Sequence, residues 1–274
     1  MRRRVWSVPL AVVIVGVVIT TALMVTSATE PLADIAVPSA PVDPPHSAAG
    51  GPALSTVLAK TDEPVNLLVV GDGTGKSSGS WVFLAAQSLG QRFGRTVEIR
   101  DWRLGSAGRY GSATRAWSAR GAPVTIWNAS TSRNITYFRQ TLDRWIPGGV
   151  PHVDVVIVSN GVVVDGGELA QRSIELMTRL RERLPGAAVV AVLQPTSPGQ
   201  RSVSFGGTTA ADDLRVSARI NRFQTIDVDA AFARSEPGAV FAGPTAYPNA
   251  DGYRLWATTV SDALASTVRI APAT

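Results

Sequence analysis

The sequence predicts an α/β domain built on a doubly wound parallel sheet of about five strands. Two observations carry this. Short, nearly continuous runs of Val, Ile, Leu and Ala recur along the chain, as strands covered on both faces require. Longer stretches with apolar residues at helical spacing lie between or after them, and strand–helix alternation is the pattern of a parallel sheet with helices on its faces.

Strands are expected at Asn66–Val70, Val97–Trp102, Val124–Trp127, Val153–Val158 and Ala188–Leu193. Helices are expected over Trp81–Phe93, Ile135–Trp145, Glu168–Leu184 and Asp251–Val268. In the third of these, Ile174, Met177, Leu180 and Leu184 recur near helical spacing among Arg and Glu. The Gly-, Ser- and Arg-rich stretch Arg103–Pro123 reads as a loop or a small excursion. No internal repeat is evident.

Before the domain, three arginines precede an uncharged apolar stretch, Val5–Val25. It is long enough to cross a bilayer as a helix, which takes about 20 residues. The arginines keep the N-terminus cytoplasmic and put the rest outside. Residues 1–28 therefore read as a signal anchor, with a cleaved signal peptide ending near Thr26-Ser27-Ala28 as the alternative. Residues 29–64, rich in Pro, Ala and Ser, read as a tether, and 65–270 as the folded domain.

Composition excludes several chemistries. The 274 residues hold no cysteine, so disulfides, thiolate metal sites and cysteine nucleophiles are out. Histidines number two, His46 in the tether and His152 just before a strand. Hydrophobic residues make up 45% and charged ones 17%, which suits a packed core. The net charge of +5 falls to +2 once Arg2, Arg3 and Arg4 are set aside. No Lys/Arg stripe with interleaved aromatics appears, so nucleic acid is not an expected partner. No cofactor or metal site is expected.

In a doubly wound sheet, ligands bind beyond the carboxyl ends of the strands. The segments there are Gly71-Asp72-Gly73-Thr74, Asn128-Ala129-Ser130, Ser159-Asn160-Gly161-Val162-Val163 and Gln194-Pro195-Thr196, with Ala246–Ala257 before the last helix. The first continues into Gly75-Lys76-Ser77, the tail of a phosphate-binding loop. Such a loop needs its first glycine five residues before the second. That position is Val70, which leaves a nucleotide site over Gly71–Ser77 as a minor alternative. "VVVD", Val162–Asp165, imitates a second nucleotide motif, but Ser159-Asn160-Gly161 interrupts its strand.

These segments together resemble the SGNH/GDSL hydrolase family, over roughly Val65–Val268. "LLVVGDGTG" resembles its first block, a strand followed by Gly-Asp-Ser with the serine as nucleophile. "TIWNAS" resembles the second block, "VDVVIVSNGVVVD" the third and "YPNADGYRLWA" the fifth. The resemblance implies a flavodoxin-like three-layer sandwich. It also implies that chemistry is missing. Gly73 stands at the nucleophile position and Ser130 at the second-block glycine. Val163 stands at the third-block asparagine, and Pro244 and Tyr247 at the fifth-block aspartate and histidine. Glycine cannot attack, valine cannot donate, and tyrosine is a poor base at neutral pH.

The expectation is an anchored, extracytoplasmic hydrolase-like domain without serine-esterase catalysis. Its ligand is a cell-envelope glycan or an acylated component, or its partner is a protein. The pocket candidates are Asp72, Gly73, Thr74, Ser130, Asn160, Tyr247 and Asn249. A divergent esterase is the alternative, with Ser77, Ser78 or Ser80 as nucleophile and Asn160 as the oxyanion donor in a shifted register. Asp72 is expected to accept from turn amides. Trp102, Trp117, Trp127 and Trp145 suit core packing better than a sugar platform. Asn128-Ala129-Ser130 and Asn134-Ile135-Thr136 match the weak glycosylation pattern.

Overall fold

The computed structural model of the chain describes residues 62–103, 108–146, 148, 152–161, 166–199, 208–243 and 247–266. The expected anchor and nearly all of the tether, with His46, lie outside them, as do Val163 and Pro244. No helix among the described residues is long and apolar enough to cross a membrane.

The strands are β1 Val65–Gly71, β2 Arg95–Arg103, β3 Arg109–Tyr110, β4 Thr114–Trp117, β5 Gly121–Asn128, β6 Val155–Ser159, β7 Ala188–Leu193 and β8 Gln224–Asp227. The helices are α1 Trp81–Phe93, α2 Ile135–Gln140, α3 Leu142–Trp145, α4 Gly166–Arg183, α5 Ala210–Ile220, α6 Val228–Ala233, α7 Pro237–Val240 and α8 Ala250–Ser266. A single 3-10 turn, Gly73–Gly75, follows β1.

The sheet runs β3-β2-β5-β1-β6-β7-β8, with β4 also on β2. From β2 to β8 every pairing is parallel. With β2 and the antiparallel β3 and β4 set aside, the remaining order β5-β1-β6-β7-β8 is the flavodoxin-like 2-1-3-4-5 pattern, whose switch point lies between the first and third strands, here β1 and β6. The two faces of β1 divide the core. Leu67 and Val69 join α1 and α8, where Trp81 and Trp256 stack at 5.5 Å. Leu68 and Val70 join the side carrying Phe138, Trp145, Met177 and Leu214. The result is three layers, with the crevice at the carboxyl edge of the middle one.

Among the described residues, eight strands replace the expected five. The undecided stretch after Trp102 supplies β3 and β4, which return antiparallel along β2 and cover its outer edge. Gly90 of α1 leaves room for this. A Cβ there would lie 2.5 Å from the Trp117 Cβ. β8 was not expected, because among its four residues Ile226 alone is fully buried. The helix expected over Ile135–Trp145 breaks at Thr141, whose hydroxyl donates to the Tyr137 carbonyl at 2.7 Å. Of the four tryptophans expected to pack in the core, Trp102 and Trp145 are buried and Trp127 is partly buried, but Trp117 is exposed because it sits on β4, at the outer edge of the sheet.

Candidate functional site

The crevice is a cavity of about 620 Å³, within the range of ligand clefts. Asp72, Gly73, Asn160 and Gly161 line it from β1 and β6, and Ser132, Arg133 and Asn134 from the loop after β5. Thr136, Tyr137 and Gln140 of α2 form a further wall, and Tyr247 lies before α8.

Asp72 holds the switch point together. Its backbone N–H donates to the Ser159 carbonyl at 3.1 Å. One carboxylate oxygen accepts from the Thr74 amide at 3.0 Å and the Thr74 hydroxyl at 2.6 Å. The other accepts from the Gly161 amide at 3.2 Å. The buried carboxylate thus bridges the turns after β1 and β6, in the role expected of a short acidic turn residue.

The 3-10 turn uses up its own amides. Thr74 donates to the Asp72 carboxylate, Gly75 to the Asp72 carbonyl at 3.4 Å, and Lys76 to the Gly73 carbonyl at 3.2 Å. A phosphate loop needs those N–H groups free and aimed at the ligand. This geometry opposes the nucleotide alternative. Gly73 differs from its neighbours, because its N–H donates to nothing among the described residues while the residue lines the crevice. A Cβ built on Gly73 meets only the Ser132 Cα, at 4.0 Å. Its φ is not in the left-handed region either. The backbone there accepts a serine, so glycine is not required by sterics.

The other pocket candidates divide. Asn160 lines the crevice with 3% of its surface exposed. Its side-chain Nδ2 donates to the Val70 carbonyl at 3.5 Å, and its Oδ1 has no partner. Turning the amide over would set two oxygens against each other, so the unpartnered group is an acceptor. That is the reverse of the oxyanion donor expected in the shifted register. Tyr247 is half-exposed on the crevice wall. Nearby Tyr253 has its phenol pKa raised, by burial first and then by the Asp72 and Tyr247 charges.

Thr74, Ser130 and Asn249 were expected in the pocket and lie elsewhere. Thr74 is buried and turned to Asp72. Ser130 is buried under the turn, its hydroxyl 2.2 Å from where a Gly75 Cβ would stand, and its N–H donates to Asn128 Oδ1 at 3.2 Å. Asn249 caps α8 by accepting from the Gly252 amide at 2.9 Å and donates to the Ala239 carbonyl at 3.0 Å.

The substitute nucleophiles fare no better. Ser80 is buried and donates to the Gly75 carbonyl at 3.0 Å, while Ser77 and Ser78 are exposed and outside the crevice lining. His152 sits at the amino end of β6, opposite the crevice, paired with Asp154 at 3.0 Å. Sequence reasoning missed Ser132, Arg133 and the α2 wall. Their signal was the helix start at Asn134, which caps α2 by accepting from the Tyr137 amide at 3.3 Å. No three His, Asp or Glu among the described residues cluster as a metal site.

No protein-family model matches the chain, and no curated protein matches it by sequence. Solved structures do match. A two-domain esterase active on acetylated mannans superposes with a TM-score of 0.55 at 14% identity, over 78% of this chain and 52% of that one. This chain spans about half that esterase's length. A peptidoglycan O-acetylesterase superposes with a TM-score of 0.55 at 14% identity, over 82% of this chain and 98% of that one. A GDSL-like lipase from Parabacteroides merdae gives 0.53 at 13% identity, over 76% and 99%. With the 2-1-3-4-5 core and a crevice at its switch point, these likenesses establish that the chain has the three-layer fold of the SGNH/GDSL hydrolases.

Proposed function

We propose that the chain is a membrane-anchored, extracytoplasmic domain that binds a cell-envelope glycan or an acylated relative of one, without cleaving an ester. The observation that carries this is Gly73. The turn after β1 has room for a serine side chain at Gly73, yet presents only a backbone N–H there. Ester hydrolysis by this route needs a nucleophile and a base within hydrogen-bond reach of each other. The titratable side chains lining the crevice are Asp72, Arg133, Tyr137 and Tyr247. Asp72 is committed to three donors, and no histidine is among them.

Asn160 supports a hydroxyl-bearing ligand. A buried acceptor without a partner costs about 1–3 kcal/mol, which a ligand O–H recovers. The structural neighbours act on acetylated mannans and on peptidoglycan, so glycans are the natural probes. The apolar stretch Val5–Val25 behind three arginines supports the anchor. Calorimetry with chitooligosaccharides and mannooligosaccharides tests the reading. Binding to the parent that weakens about tenfold in Asn160→Leu supports it. The absence of binding to either series refutes it.

One observation favours a second reading, a relocated nucleophile. Ser132 stands beside Gly73 on the crevice wall. Acetate release from acetylated glycans that disappears in Ser132→Ala would support this esterase alternative.

A further inference from the structure

We infer that the crevice continues past α2 into a second cavity, and that the joined groove takes an extended glycan strand bearing carboxylates. This rests on the glycan-binding reading above and deepens it. A cavity of about 470 Å³ lies between the α2–α3 segment and α4, and Gln140 lines both it and the crevice. Gln140 is exposed at the end of α2, where a side-chain amide can both donate and accept to a strand passing over it.

Charge selection comes from Arg133. Its guanidinium makes no ion pair or hydrogen bond among the described residues, although it lines the crevice. The arginines around it are mostly committed. Arg139 pairs with Glu175, Arg172 with Glu168, and Arg183 with Asp143 at 3.0 Å. In the second cavity, Arg179 and Glu182 carry opposite signs and give no net preference. Asp72, the carboxylate lining the crevice, already accepts from Thr74 and Gly161. The planar fork of Arg133 suits a carboxylate, held in two parallel hydrogen bonds. Asn160 Oδ1, buried and unpartnered in the same crevice, accepts a hydroxyl of the same strand.

The test is calorimetry on the full-length chain in detergent at low salt. The probes are peptide-free glycan strands containing N-acetylmuramic acid, which carry free carboxylates, and chitooligosaccharides of matched length, which are neutral. Lengths of two, four and six sugars are compared. The muramic strands should bind about tenfold or more tightly than the neutral ones, a difference that shrinks with added salt. Affinity should rise from two to six sugars. Arg133→Gln should bring the muramic strands down to the level of the neutral ones and remove most of the salt dependence. Gln140→Trp should weaken the hexamers more than the dimers.

Equal affinity for the two series, or an unaltered Arg133→Gln, overturns the carboxylate assignment while the glycan reading stands. Affinity independent of length overturns the continuous groove. Tighter binding of a polyol-phosphate oligomer than of any muramic strand also overturns the carboxylate assignment. Failure of both glycan series to bind overturns the underlying reading as well.

Discussion

Gly73 and Gly75 stand two residues apart and have opposite tolerances. A Cβ on Gly75 would sit 2.2 Å from the Ser130 hydroxyl oxygen, while one on Gly73 meets only the Ser132 Cα at 4.0 Å. Gly73→Ser should therefore leave stability within about 0.5 kcal/mol of the parent. It should also gain no ester turnover, because no histidine lines the crevice. Gly75→Ala should cost about 1–3 kcal/mol, and Gly252→Ala at least as much, because a Cβ at 252 would lie 2.1 Å from the Val240 carbonyl oxygen. Thermal melts of the three variants check this ordering. Asp72→Ala leaves the buried Thr74 amide and the part-buried Gly161 amide without their acceptor and should cost about 2 kcal/mol by denaturant titration. The turn role of Asp72 was legible in the sequence, because a short acid after a strand has few other uses. The inward placement of Thr74 and Ser130 was not, since it depends on which side of the turn packs against β5.

At the scale of elements, the apolar runs located β1, β2, β5, β6 and β7 within a few residues, because buried parallel strands must be nearly continuous in apolar residues. β3 and β4 escaped because their order comes from backbone pairing with β2 rather than from apolar side chains. α5 had a readable signal, with Ala211, Leu214 and Ala218 buried on one face. Its start is fixed by a capping box, in which the Thr209 hydroxyl accepts from the Asp212 amide and Asp212 accepts from the Thr209 amide. The Thr209 backbone bond, followed by its hydroxyl and Arg215, holds the Asp212 carboxyl below the ordinary value of 3.8, although burial opposes this. A depressed folded-state pKa means stability that is present above 3.8 and lost as pH falls through the lower folded value. Hydrogen-exchange protection factors over Ala210–Ile220, corrected for the intrinsic rate at each pH, should therefore fall first as pH drops below 3.8. In Thr209→Ala, the same segment should already exchange faster at neutral pH.

For the molecule as a whole, the resemblance to the hydrolase blocks divides into a scaffold half and a chemical half. Gly71 and Asp72 close β1 against β6, since a Cβ on Gly71 would lie 3.0 Å from the Ser159 carbonyl oxygen. In the fifth block, Pro248 bridges Phe241, Asn249 caps α8, Gly252 lets α7 approach and Trp256 stacks on Trp81. These residues match because the fold needs them. Gly73 and Tyr247, where the resemblance departs from the blocks, line the crevice and carry no comparable structural role. That division explains why the fold was legible from four short segments while the ligand was not. A ligand is read from loop residues such as Ser132 and Arg133, whose placement follows from the path of the chain after β5. The most direct test is acetate release from acetylated glycans, measured with the full-length protein and its Ser77→Ala, Ser78→Ala, Ser80→Ala and Ser132→Ala variants. We expect no release above background from any of them. Release by the parent that vanishes in one serine variant would contradict a domain that binds without cleaving.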